Sequence, residues 1–194
     1  MYRNGEMYDE MCNVVMDIYE DYGITLDSFP LDMDWLIEIM GMDLVPYSAF
    51  PCHKDLLIKK SKDGFCVPSD GICRPAVIIN DTDSNYGPGK ISSNKGHEVK
   101  HIVFLDTDDS EDDSADYFSK YLRCPIPLVI NLGIKSKTEL ISKFKITGEQ
   151  ADYVLSNARN RVNKYGRRYF RYELRLFEQL LGENYIESDF EIID

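Results

Sequence analysis

Histidine, paired cysteines, long apolar runs and basic charge are all scarce in this 194-residue chain. No run of about 18 or more apolar residues occurs, and the opening segment MYRNGEMYDE has neither a basic region nor an apolar core, so we expect no membrane insertion or secretion. Lys and Arg number 22 against 34 Asp and Glu, which gives a net charge of −12. That balance argues against wholesale binding to nucleic acid or to an anionic membrane.

The cysteines are odd in number, scattered, and never spaced as CxxC: Cys12, Cys52, Cys66, Cys73 and Cys124. This arrangement indicates neither a disulfide framework nor a structural zinc knuckle, so we expect reduced thiols in a cytoplasmic protein. With 43% hydrophobic and 12% aromatic residues, the composition is typical of a globular chain.

Apolar periodicity predicts helices and short strands ahead of the central region. A helix is expected over about 5–22, and a second over about 32–40, where Asp32 caps the start and Gly41 ends it. The second helix is expected to bury Trp35, Leu36, Ile39 and Met40. Strand-like runs at 43–47, 64–67 and 76–80 predict a small sheet.

Two of the 3 histidines lie in His97-Glu98-Val99-Lys100-His101, an HExxH sequence. Chance would produce such a motif in fewer than roughly one in a hundred chains of this composition. On a helix, which we expect Ser92 or Ser93 to cap, residues four apart share a face, so both imidazoles can hold one metal ion while Glu98 reaches a water molecule beside it. The alternative is a solvated amphipathic helix with incidental histidines.

Catalytic zinc normally takes three protein ligands, so the motif needs a further one. An acidic run at 106–113 follows it, and this run fits either a solvated loop with an acid-rich first helical turn or a source of metal ligands. The predicted helix after it has one face formed by Asp112, Ala115, Asp116, Ser119 and Leu122. A carboxylate on that face could be the third ligand, and Asp116 could hydrogen-bond a ligating histidine.

Two other features have weaker implications. Cys52 and His53 have no partner at ligand spacing, so we interpret them as surface residues. Residues 138–157 predict helix, turn, helix, and the wider segment 133–175 carries net charge +7 while the remainder carries −19. That basic segment fits a docking surface for nucleic acid or an acidic partner, or equally a solvated face of a packing helix.

Taken together, these motifs resemble the ImmA/IrrE family of metallo-endopeptidases of phages, other mobile elements and stress regulators. An apolar strand ending at Asn80, the HExxH helix, and a segment similar to E-x-x-A-(N/D)-x-F at 112–118 occur in the family's order. The resemblance implies an α+β, zincin-like metallopeptidase domain at 1–130, with a small mixed sheet packed on the HExxH helix. A helix-turn-helix-like C-terminal helical region at 131–194, containing the basic segment, would pack on it.

The resemblance also implies Zn²⁺ as cofactor, with His97 and His101 as ligands and Glu98 as general base. Asp112 takes the position of the family's third ligand, which is a glutamate, and its side chain is one methylene shorter. Asp116 would orient a histidine. Should the helix shift its phase, the alternative ligands are Glu111 and Asp113.

The implied substrate is a helix-turn-helix transcriptional repressor of a prophage or mobile element, so the chain would be a cytoplasmic antirepressor. Direct DNA binding is not favoured. A competing hypothesis is a non-catalytic antirepressor that keeps the zincin frame and acts by docking, and a third is hydrolysis of a small amide.

Overall fold

The computed structural model describes the backbone of residues 4–106, 112–166, 168–182 and 191–193, and the side chains of 7–106, 113–166 and 168–182. The fold is α+β, with helix predominating over a small sheet. Two compact units are present, one formed by Leu31–Arg123 and the other by Met1–Pro30 with Cys124–Asp194. The predicted boundary near residue 130 instead groups residues 1–30 with the first domain, and that boundary stays a prediction.

The unit Leu31–Arg123 contains a three-stranded mixed sheet. Its strands are β1 (Asp43–Pro46), β2 (Gly64–Val67) and β3 (Ala76–Ile79), in the order β1-β3-β2. The central strand β3 pairs in parallel with β1 and antiparallel with β2. Alternation along β3 buries Val77 and Ile79 on one face. The prediction of a small sheet from residues 43–80 is therefore confirmed, with β2 at its edge.

Helices α2 (Met33–Ile39), α3 (Lys54–Lys60), α4 (Pro88–Val103) and α5 (Asp112–Arg123) belong to the same unit, with short 3-10 turns at Tyr47–Ala49 and Pro51–His53. Asp32 caps α2 as predicted, accepting from the backbone N–H of Asp34 at 2.9 Å and of Trp35 at 3.2 Å. The prediction that Trp35 and Ile39 are buried is wrong, because their side chains are 40% and 36% exposed. The buried stripe of α2 lies instead on Met33, Leu36 and Ile37.

Helix α4, which carries the HExxH sequence, begins earlier than predicted. Gly87 is its N-cap and Pro88 its first residue, so neither Ser92 nor Ser93 caps it. Gly87 and Pro88 start the helix, because proline suits a first helical position whose N–H would have no partner. The helix packs against β2, β3, α2 and α5.

Helices α4 and α5 run antiparallel and approach closely. The guanidinium of Arg123 donates to the carbonyl oxygen of Gly89 at 3.2 Å. About one turn further along both helices, Ser119 Oγ donates to the carbonyl oxygen of Ser93 at 2.7 Å. A Cβ added at Gly96 would lie 2.6 Å from Ser119 Oγ. Glycine within a helix is unfavourable by about 0.5–1 kcal/mol relative to alanine, and here it permits the close crossing.

The other unit is mainly helical. Its helices are α1 (Asn4–Asp21), α6 (Ile126–Asn131), α7 (Lys137–Phe144), α8 (Gly148–Tyr165) and α9 (Arg171–Leu181), with a 3-10 turn at Leu26–Ser28 and the parallel pair β4 (Arg168–Phe170) and β5 (Glu191–Ile193). The predicted helix, turn and helix over 138–157 are confirmed as α7 and α8, capped by Ser136 and Thr147. The β4–β5 pair was not predicted.

The remaining sequence predictions that the fold tests concern surface and membrane features. None of the five cysteines forms a disulfide, and the exposure of Cys52 and His53 confirms their interpretation as surface residues. Within the described ranges, no helix is both long enough and apolar enough to cross a membrane.

Candidate metal centre

The two histidines of the HExxH sequence converge on one point. His97 and His101 lie one turn apart on α4, and their Nε2 atoms are 3.3 Å from each other. The side chain of His101 is 7% exposed and that of His97 is 20% exposed. Helical phase thus brings one nitrogen of each ring to a shared position at the edge of the protein interior.

The opposite nitrogen of each ring is held by a carboxylate. His97 Nδ1 lies 3.0 Å from Asp116 Oδ1, and His101 Nδ1 lies 2.6 Å from Asp106 Oδ1 and 2.9 Å from the Asp106 carbonyl oxygen. Carbonyl and carboxylate oxygens accept hydrogen bonds, so Nδ1 is the protonated, donating nitrogen of each ring. In a neutral imidazole the lone pair then lies on Nε2.

Two Nε2 atoms 3.3 Å apart can bind one metal ion or share one proton. Ligands about 2.0–2.1 Å from a tetrahedral zinc ion are separated from one another by roughly 3.3–3.4 Å. The separation of the two Nε2 atoms therefore fits zinc, and the carboxylate partners on Nδ1 are those that usually orient metal-ligating histidines.

Glu98 lies beside this pair and is buried, at 7% exposure. The pKa of Tyr47 is raised to about 12 and that of Cys66 to about 11. Burial is the larger cause for both groups, and the negative charge of the Glu98 carboxylate is the second. The Cys66 thiol is therefore protonated at neutral pH, although it faces the same cavity. A thiol that stays protonated is not a cysteine-protease nucleophile, whereas the Glu98 carboxylate can accept a proton.

A cavity of about 790 Å³ opens over both histidines and Glu98. Edge strand β2 contributes Gly64, Phe65 and Cys66 to its wall, and the rest comes from α4, α5, the end of α3 and the loops on either side of β2. The lining is polar and carries charges of both signs: Lys60, Lys62, Asp63, Lys90, Asp113 and Asp116. An open, polar cleft along a strand edge suits an extended peptide better than a small apolar molecule.

Asp116 is held as a carboxylate by its surroundings. The hydrogen bond from His97 lowers its pKa below the usual range, and the Lys120 ammonium 3.6 Å away lowers it further, against the opposing effect of burial. Because Asp116 stays ionised at neutral pH, it accepts from His97 Nδ1 and keeps that ring oriented.

The predicted third ligand falls outside what the structure describes. The side chain of Asp112 lies outside the described residues, and so does all of Glu111, whereas Asp112 itself is the first residue of α5. Asp113 is exposed and lines the cavity. Among the described side chains, no group of three or more His, Cys, Asp or Glu residues is placed to hold a metal ion.

Comparison with protein-family models, curated proteins and solved structures found no match. The chemistry of the site therefore rests on its own geometry. Two imidazole nitrogens can hold a divalent cation, and a buried carboxylate next to them can move a proton. Together with an open cleft, these groups suit metal-assisted hydrolysis.

Two residues of the site were not predicted to act there. Asp106 holds His101, and the ammonium of Lys100 lies 2.7 Å from Asp106 Oδ2. Asp106 is five residues after His101 in the sequence, but its contact with the His101 ring depends on the backbone of Leu105. The φ of Leu105 is 53°, which is rare for leucine. Nothing in the apolar periodicity of α4 indicates that Lys100 is buried.

Proposed function

We propose that this protein is a zinc-dependent endopeptidase of the ImmA/IrrE type, with a zincin-like catalytic unit, that cleaves a helix-turn-helix repressor of a phage or mobile element in the cytoplasm. The observation that carries the proposal is the pair of Nε2 atoms 3.3 Å apart, with each Nδ1 bonded to a carboxylate. Buried Glu98 beside that pair supplies the base that such hydrolysis needs.

When bound, Zn²⁺ supplies Lewis-acid polarisation of a carbonyl group and lowers the pKa of water towards neutrality. Glu98 takes the proton of the attacking water and then delivers it to the leaving amine, so one carboxylate serves both proton transfers. Asp116 and Asp106 keep the two imidazoles in the tautomer that presents Nε2.

A peptide substrate is favoured over a small amide by the position of β2. As an edge strand lining the cavity, β2 can pair its outer edge with an extended chain, which would lay a scissile bond over the histidines.

The test is incubation of the zinc-loaded protein with a helix-turn-helix repressor from a phage or mobile element, followed by mass spectrometry of the products. We expect one or a few defined cleavages that a chelator stops and added zinc restores. Cleavage that continues in excess chelator, or an intact repressor after complete zinc loading, would contradict the proposal.

A non-catalytic antirepressor is the second candidate, and one surface favours it. On α8, the side chains of Arg159, Asn160 and Asn163 are all exposed over little more than one turn, near the C-terminal end of the helix in the basic segment. Such a face could bind a repressor or, less favoured, DNA. In the same experiment this candidate predicts a stable complex with an uncleaved repressor.

The antiparallel register of α4 and α5 supports Asp112 as the third ligand. His97 meets Asp116, so one further turn along each helix places position 112 opposite His101. We expect Asp112→Ala to lose most bound zinc, because aspartate binds zinc through oxygen at about 2.0–2.2 Å. Asp116→Ala should weaken zinc binding by roughly 10–100-fold, as removal of a histidine's hydrogen-bond partner does.

Zinc titration against a chromophoric chelator measures these affinities, and Asp113→Ala is the neighbouring control that should change little. If Asp113→Ala or Glu111→Ala strips the metal while Asp112→Ala keeps it, the assignment of the third ligand is wrong.

We expect Gly96 to determine whether the short side chain of Asp112 can reach the metal. In Gly96→Ala the new Cβ would meet Ser119 Oγ at 2.6 Å and Ser119 Cβ at 3.1 Å, which forces α5 away from α4. We expect zinc affinity to fall by roughly tenfold, in line with overpacking costs of about 1–3 kcal/mol.

Either of two additional substitutions should restore zinc affinity to the Gly96→Ala variant. Ser119→Gly removes the atoms that clash, and Asp112→Glu adds the methylene needed to span the wider gap. Chelator competition on the parent protein and all three variants checks this expectation. Unchanged affinity in Gly96→Ala would show that the helix crossing does not set the ligand distance.

A further inference from the structure

Lys100, in the middle of the HExxH sequence, is among the most buried large side chains described, at 2% exposure. Lysine is almost never fully buried unless its charge is paired. Its ammonium lies 2.7 Å from Asp106 Oδ2, and the other oxygen of that carboxylate lies 2.6 Å from His101 Nδ1. One carboxylate thus joins a buried cation to a histidine of the candidate metal centre.

The backbone is shaped to bring Asp106 to this position. Leu105 has a φ of 53°, and the N–H of Asp106 donates to the carbonyl oxygen of His101 at 3.1 Å while that of Leu105 donates to Ile102 at 3.3 Å. This pair of bonds turns the chain back over the last turn of α4. The backbone of Leu105 is in the left-handed region, and its side chain is 83% exposed. Burial of that side chain therefore does not offset the cost of the backbone conformation.

We propose that Lys100 is a positioning residue of the metal centre, which acts through Asp106 to hold His101 with Nε2 directed at His97 Nε2. The inference rests on the proposed zinc site. A carboxylate that is bonded through only one oxygen can rotate or turn to solvent, and the Asp106 side chain is 28% exposed. With Lys100 on Oδ2 and His101 on Oδ1, both oxygens are engaged and the plane of the carboxylate is fixed.

The alternative is a purely structural role, in which the Lys100–Asp106 ion pair only stabilises the end of α4. The two roles separate in experiment, because a stabilising pair affects unfolding of the metal-free protein, whereas a positioning pair affects zinc affinity. Removing one partner of a buried pair leaves the other charge uncompensated, so variants that remove one and both charges are needed.

The test compares Lys100→Met with Lys100→Met/Asp106→Asn, measuring zinc affinity by chelator competition and unfolding of the metal-free protein by thermal melts. Methionine keeps the apolar stem against the Phe104 ring, whose centroid lies 5.6 Å from the Lys100 ammonium. We expect Lys100→Met to bind zinc roughly 10–100-fold more weakly. The double variant should recover thermal stability, because the charge of Asp106 is removed together with that of Lys100, but not zinc affinity.

Lys95→Met is the matched control. Lys95 lies on the same helix and pairs with Asp34, which contacts neither histidine in the described structure. It should keep the zinc affinity of the parent protein. A visible spectrum of the Co²⁺-loaded forms adds a readout of ligand geometry, and we expect it to change in Lys100→Met and not in Lys95→Met.

Zinc affinity within twofold of the parent in Lys100→Met, or full recovery of affinity together with stability in the double variant, would overturn the inference. Either result would leave the proposed function intact. If the parent protein itself binds no zinc, the proposed function fails instead, so the two failures are distinguishable.

Discussion

Replacing Glu98 by glutamine is expected to lower peptide cleavage by roughly 10²–10⁴-fold, which is the usual contribution of a general base. Glutamine has nearly the same size and shape but cannot accept the proton of the attacking water. Zinc content should stay near one per chain, because the two converging Nε2 atoms belong to His97 and His101. Initial rates on a cleaved peptide, with zinc measured in the same samples, check both expectations.

The control for this variant is Glu38→Gln, which makes the same chemical change at an exposed position on α2 in the same compact unit. It should keep both zinc and activity. If Glu98→Gln cleaves as fast as the parent protein, proteolysis uses another group. If it has lost its zinc, Glu98 is a ligand and the assignment of roles within the motif is wrong.

Replacing His97 or His101 by alanine should abolish stoichiometric zinc binding and with it all zinc-dependent cleavage. Each substitution removes one of two nitrogen donors placed 3.3 Å apart, and a single imidazole with one carboxylate holds zinc far less tightly than a three-ligand site. Elemental analysis of the purified variants measures the effect directly.

His53→Ala is the control for these substitutions. It removes the third histidine, which is exposed at the end of a 3-10 turn, and should leave zinc content unchanged. Metal that survives in the His97→Ala/His101→Ala double variant would place the site elsewhere in the chain.

The parts of this site that follow from helical phase were predictable from the sequence. Residues four apart on one helix must share a face, so the convergence of His97 and His101 needed only the prediction of a helix. The same reasoning placed Asp116 within reach of a histidine, and the structure has that hydrogen bond at 3.0 Å. The sheet was equally visible as three short apolar runs.

Other parts depend on backbone conformations and tertiary approaches that periodicity does not encode. Asp106 reaches His101 because Leu105 adopts a positive φ, which sequence rules reserve mainly for glycine and asparagine. Gly96 was expected to lie within the HExxH helix, but its close contact with Ser119 was not predicted. A glycine that serves a helix crossing cannot be distinguished from one that ends a helix until the partner helix is placed.

The most direct test of the central claim is anomalous diffraction at the zinc edge from crystals of the protein with equimolar zinc. We predict a single strong peak about 2.0–2.1 Å from the Nε2 atoms of both His97 and His101, with an oxygen of Asp112 about 2.0–2.2 Å away. A peak bound by other residues, or no peak between the two histidines in zinc-saturated crystals, would contradict the account.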